Sequence, residues 1–213
     1  MTERSTEQLI GSLAQGLAPV RPLPPPVLRA LLWLAAAALI AAVAVLRWAN
    51  LEMFVTRTAE PRLALECAAT LLTGITAIIA AFYLSLPDRT SLWRYAPLPP
   101  LALWLASSGL GCLDHGIGLG PTGDRLGESV RCFVFIVAVS VPLAVLLYAV
   151  LRRARPLQPL PVALTAALGV AALAAFVLQF FHPFDTTVID LALHAAAVGV
   201  VIGFAGAARR VLA

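Results

Sequence analysis

The stretch VLRALLWLAAAALIAAVAVL, residues 27–46, holds one charged side chain, Arg29, in twenty positions. At about 1.5 Å of rise per residue, a helix of this length spans about 30 Å, the hydrocarbon thickness of a bilayer. Water could not solvate such a helix on all sides, so the sequence places it in lipid. Five further stretches read the same way: 64–86, 97–113, 132–151, 160–181 and 187–206. The third is short and opens on Pro97, Pro99 and Pro100. The expectation is an all-α, polytopic bundle of about six transmembrane helices.

Composition agrees. The chain has 213 residues, 61% of them hydrophobic and 12% charged, where soluble domains have about 45–50% and about 25%. All 15 basic residues are Arg, and the net charge is +4. The arginines are scattered at the ends of apolar runs, as membrane topology dictates, so direct nucleic-acid binding is not expected. No signal peptide is read in the first residues, where Pro and Gly interrupt any apolar run before Val27.

Six spans put both termini on one side. With the N-terminus inside, the inner set is Arg4, Arg21, Arg29, Arg89, Arg94, Arg152, Arg153, Arg155, Arg209 and Arg210. The outer set is Arg47, Arg57, Arg62, Arg125 and Arg131. Positive charge favours the cytoplasm, so both termini are expected there, in a bacterial inner membrane. Pro142 interrupts the fourth span and should kink it. In the last span Ala195, Gly199, Gly203 and Ala207 recur every fourth residue. Such a stripe lets helices approach closely, in internal packing or in a homodimer.

Residues 1–26 form the one sizeable polar segment on the expected inner side, and residues 27–213 the membrane domain. Ser5-Thr6-Glu7-Gln8 reads as a capping box. Leu9, Ile10, Leu13 and Leu17 then share one helix face. This arm has almost no basic residues on its polar face and no aromatic side chain for a lipid surface. Its ridge suits the membrane or bundle as one reading, and a groove on a soluble partner as the other. Pro19, Pro22, Pro24, Pro25 and Pro26 make a stiff spacer behind it.

Cys67, Cys112 and Cys132 all fall near the expected outer boundary. Cys112 and Cys132 flank a glycine-rich loop, where an oxidising compartment permits a disulfide. No Cys-x-x-Cys is present, so a catalytic dithiol is not indicated. Glu66, Asp114, His115, Asp124, Glu128, His182 and Asp185 share that side, with His194 about two turns into the last span. Thiol, imidazole and carboxylate suit a soft divalent metal, but the spacing matches no tight motif, and metal binding stays open. An intramembrane histidine is a functional candidate by default. No cofactor motif and no catalytic constellation is read.

The chain resembles the NrsF family of bacterial membrane-bound anti-sigma factors, negative regulators of an extracytoplasmic-function (ECF) sigma factor. The resemblance rests on Glu7-Gln8-Leu9-Ile10, Leu13, Leu17 and Pro19-Val20-Arg21-Pro22-Leu23. It continues through Gly111-Cys112, Leu119-Gly120-Pro121, Gly127-Glu128-Ser129, Arg131-Cys132-Phe133, His182-Pro183 and His194. It implies a non-enzymatic protein of six membrane helices whose cytoplasmic N-terminus holds the sigma factor inactive. It implies that Leu9, Ile10, Leu13 and Leu17 bind sigma. Cys112 and Cys132 would respond to metal or oxidative stress, with Cys67, His115, His182 and His194 as accessory candidates. Two rival readings are a small metal or solute transporter and a membrane thiol oxidoreductase. The first wants more deep ionisable residues, and the second a reactive cysteine pair.

Overall fold

The computed structural model describes residues 6–17, 22–114, 123–181 and 188–208, with backbone only at 110–114, 123–129, 188–191, 194 and 205–208. Every regular element among them is helical. In order they are α1 (Thr6–Gln15), α2 (Pro26–Trp48), α3 (Leu51–Thr58), α4 (Pro61–Leu84), α5 (Leu98–Asp114), α6 (Gly123–Leu151), α7 (Pro159–Leu178) and α8 (Val188–Ala208). Two 3-10 turns, Ser91–Tyr95 and Arg152–Ala154, join α4 to α5 and end α6.

The boundaries follow local chemistry. α2, α4 and α7 each start with proline in the first turn, where its missing N–H would go unpaired anyway. The short helix α3 sits in what the sequence reading left as a connection. Asn50 caps it, its side chain accepting the Met53 N–H at 2.9 Å. α6 also starts earlier than expected, at Gly123 within the glycine-rich stretch. Each glycine costs a helix about 1 kcal/mol relative to alanine. The i, i+4, i+7, i+8 spacing of Leu126, Val130, Phe133 and Val134 continues regardless.

Among the described residues four helices are long and apolar enough to cross a membrane: Pro26–Trp48, Pro61–Leu84, Val130–Ala154 and Pro159–Leu178. α5, with 17 residues, is shorter. In α8 the searched apolar part is Ala195–Phe204. The outward face of α2 exposes Leu31, Leu32, Leu39, Ile40, Val43 and Leu46. A continuous apolar belt of this kind wants lipid, not water.

The centre of the bundle is the α4–α7 pair. Ala77, Ile78 and Ala81 of α4 and Ala163, Ala166, Ala167 and Val170 of α7 are fully buried. A Cβ on Gly74 would stand 2.7 Å from the Leu173 side chain, and one on Gly169 would stand 2.8 Å from Ile78. Small residues thus let these two helices approach closely. The stripe singled out on α8 does not pack inward. Ala195, Gly199 and Gly203 are exposed, and Cβ atoms on both glycines would meet open space. α8 enters the core through Ala197 and Val201 instead. Internal packing is therefore not the role of its described stripe residues.

Two ends can be told apart. At one, the start of α2 meets the ends of α4 and α6: Arg29 lies over Phe82 and donates to the Val150 carbonyl. The Tyr148 hydroxyl donates to the Ala163 carbonyl there, tying α6 to the start of α7. At the other, α3 and the start of α4 meet the end of α7: Phe54 stacks on Phe180 at 4.0 Å.

Candidate functional site

Two places hold the residues read from the sequence. The first is α1. Its described helix is Thr6–Gln15, and the expected cap Ser5 lies outside the described residues. No residue of α1 is buried. Leu9 is 49% exposed, Ile10 60%, Leu13 64% and Leu17 78%. Ser12 turns its hydroxyl back on the Leu9 carbonyl at 2.9 Å, so it spends its donor within the helix. The bundle therefore does not cover this ridge. Four large apolar side chains on one marginal helix are left for something else to cover.

The second place is the α3 end of the bundle. Cys67 lies in the second turn of α4, half-buried, and its thiol donates to the Gln179 side-chain oxygen just past α7. Its neighbour Glu66 is buried. Glu66 faces Arg62 at 4.0 Å, and Arg62 holds Glu60 at 3.2 Å. The Arg62 Nη2 and one Glu66 oxygen are buried without a hydrogen bond among the described residues. Phe180 packs between Phe54 and Phe176, and Phe181 lies 5.5 Å from Phe135. The chain leaving α7 is thus pinned by rings from α3 and α6.

Cys132 belongs to this end but not to a loop. It lies in the third turn of α6, 7% exposed, in a cluster with Ile136, Ala174, Ala175, Leu178 and Ala197. The helices reach further into the expected glycine-rich connection than the sequence reading had them, because α5 runs on to Asp114 and α6 starts at Gly123; residues 115–122 lie outside the described ones. Cys112 lies on the last turn of α5, and its side chain is outside the described residues. His115 and His182 also lie outside them, and His194 is placed on α8 by its backbone alone. Among the described residues no three His, Cys, Asp or Glu side chains come together to hold a metal.

The structure brings the Cys67 and Cys132 neighbourhoods to successive residues at the end of α7: Gln179 receives the Cys67 thiol, and Leu178 shares a buried cluster with Cys132. Sequence reasoning missed Gln179. The signal was there: it is the one amide in the apolar run 160–181. A polar side chain in such a run needs a partner. Arg29, which the sequence reading counts only among the inner arginines, is 7% exposed.

Residues 13–213 match the family described as NrsF, negative regulator of sigma F. The chain belongs to the NrsF family. The match starts at Leu13, so Leu13 and Leu17 of the arm lie within it while Leu9 and Ile10 precede it. No curated protein and no solved structure matches the chain. The NrsF family makes this protein a negative regulator of a sigma factor, and it gives a sigma factor as the partner. A regulatory family points away from the transporter and oxidoreductase readings.

Proposed function

We propose that this chain is a membrane-anchored anti-sigma factor whose N-terminal arm sequesters an ECF sigma factor and releases it on stress at the opposite membrane face. The observation that carries this reading is the uncovered apolar ridge of α1, in a chain of the NrsF family. Leu9, Ile10, Leu13 and Leu17 seat in a groove of the sigma factor. The proline-rich spacer holds the helix off the bilayer. All six long helices, α2 and α4 to α8, cross the bacterial inner membrane, α5 and α8 included. Both termini lie in the cytoplasm, as the distribution of arginine supports.

The thiols lie at the periplasmic end, where Cys112 and Cys132 sense metal or oxidant and Cys67 contributes. His115, His182 and His194 are accessory. Joining two thiols as a disulfide gives two protons and two electrons to the oxidant; a metal ion would instead displace the thiol protons. Either event changes contacts around the end of α7. Only such a difference between two packing states can drive release. Self-association through the exposed face of α8 is part of the same reading, supported by the open space around Gly199 and Gly203.

The test is capture of the sigma factor by the full chain in membranes, wild type against Leu13→Asp. Wild type captures and Leu13→Asp does not; equal capture removes the arm from the mechanism.

A further inference from the structure

The end of the bundle where α2 begins holds a charged feature that neither the ridge nor the thiols use. Arg29 is 7% exposed. Its Nη2 donates to the Val150 carbonyl at 3.2 Å, and its guanidinium lies 5.1 Å from the centre of the Phe82 ring. Its Nη1 is buried with no hydrogen-bond partner among the described residues. Arg153 stands three residues beyond Val150, on the 3-10 turn Arg152–Ala154 that ends α6. The ion pairs among the described residues join Arg62 to Glu60 and Glu66, and Arg89 to Asp88. Neither Arg29 nor Arg153 has a carboxylate there.

That arrangement costs free energy as it stands. A buried donor without an acceptor keeps the full cost of its desolvation, and a charged one more so. Among the described residues the start of α2 has no side-chain cap either: Pro25 supplies none, and the Val27 and Leu28 amides have no acceptor within the helix. Helical Cβ atoms tilt toward the N-terminus, so the Arg29 side chain leaves α2 on the side of its first turn before it reaches Val150 and Phe82. The negative end of α6 opposes an anion with about half a charge. Two guanidiniums outweigh it, and the Val150 carbonyl is already occupied.

We propose that Arg29, Arg153 and the first turn of α2 form a binding site for a phosphate group, supplied by the headgroup of an acidic phospholipid. A tetrahedral oxyanion has enough oxygens to accept from Nη1, from Arg153 and from a helix-start amide together. The site lies where an apolar helix begins, the depth of lipid phosphates on the membrane reading. Free inorganic phosphate has the same chemistry, and the experiment separates the two sources.

The full chain is released from micelles holding equal phosphatidylglycerol and phosphatidylcholine, and retained lipid is counted by native mass spectrometry. Wild type keeps one phosphatidylglycerol, in about tenfold preference, as expected of a charge-assisted site. Arg153 is exposed, so Arg153→Gln leaves the core intact, and it abolishes most of that preference. Arg89→Gln, an exposed arginine already facing Asp88, leaves it unchanged. In a second arm, inorganic phosphate is added to the chain in neutral detergent. If it displaces phosphatidylglycerol and raises the melting temperature of wild type but not of Arg153→Gln, the site stands with free phosphate as ligand. Equal retention of the two lipids with no effect of phosphate overturns the proposal. So does an Arg89→Gln loss as large as that of Arg153→Gln, which would mean general surface charge. None of these readouts involves the sigma factor, so they stand or fall apart from the arm.

Discussion

Gly74 of α4 faces Leu173 of α7 so closely that an added Cβ would lie 2.7 Å from the leucine side chain and 3.2 Å from its backbone nitrogen. A methyl group there must displace the Leu173 side chain and crowd its backbone. Gly74→Ala should cost about 1–3 kcal/mol, the usual range for overpacking. Thermal unfolding in detergent checks this, with Gly199→Ala as the control. Gly199 faces open space and should change little, or gain slightly from helix propensity.

The α1 ridge predicts a separation of function from stability. Leu13 is 64% exposed and contributes nothing to the core. Leu13→Asp should remove sigma capture while the melting temperature of the bundle stays put, within about 0.5 kcal/mol. A large stability loss would mean that the bundle covers the arm after all.

Gln179 accepts from the Cys67 thiol. Gln179→Ala removes the acceptor and opens space beside the sulfur. Labelling of Cys67 with a membrane-impermeant maleimide added from outside the cell should then speed up severalfold. Cys132, buried with Ala174 and Leu178, should label slowly in both proteins. Faster labelling of Cys132 than of Cys67 in wild type would contradict the packing at this end.

The exposed face of α8 predicts where two copies would touch. In a background with the native cysteines replaced by serine, Gly199→Cys should give an oxidative cross-link of doubled mass in membranes. Ala197→Cys, buried in the core, should give none. Failure of Gly199→Cys to cross-link would leave lipid as the cover of that face.

The positions of the long helices were legible in the sequence because hydrophobicity and proline act locally. The run 27–46 became Pro26–Trp48, 160–181 became Pro159–Leu178, and 187–206 became Val188–Ala208. The ridge of α1 was legible for the same reason, since a helix period needs only neighbours within two turns. Glycine counting misled at Gly123 and Gly127, where the apolar period outweighed the local penalty. α3 was missed because a helix of 8 residues leaves too short a pattern to read.

The sequence alone determined that this chain is helical, apolar enough for lipid, and armed with an amphipathic N-terminal segment. Its motifs and the family match make it a negative regulator of a sigma factor. Only the tertiary structure decided which faces meet. It set Gly74 against Leu173, turned Gly199 outward, buried Cys132, and joined Cys67 to Gln179 across 112 positions of sequence. Periodicity says that a helix has faces. Which face is covered depends on a partner far away in the chain, and that choice is made by packing.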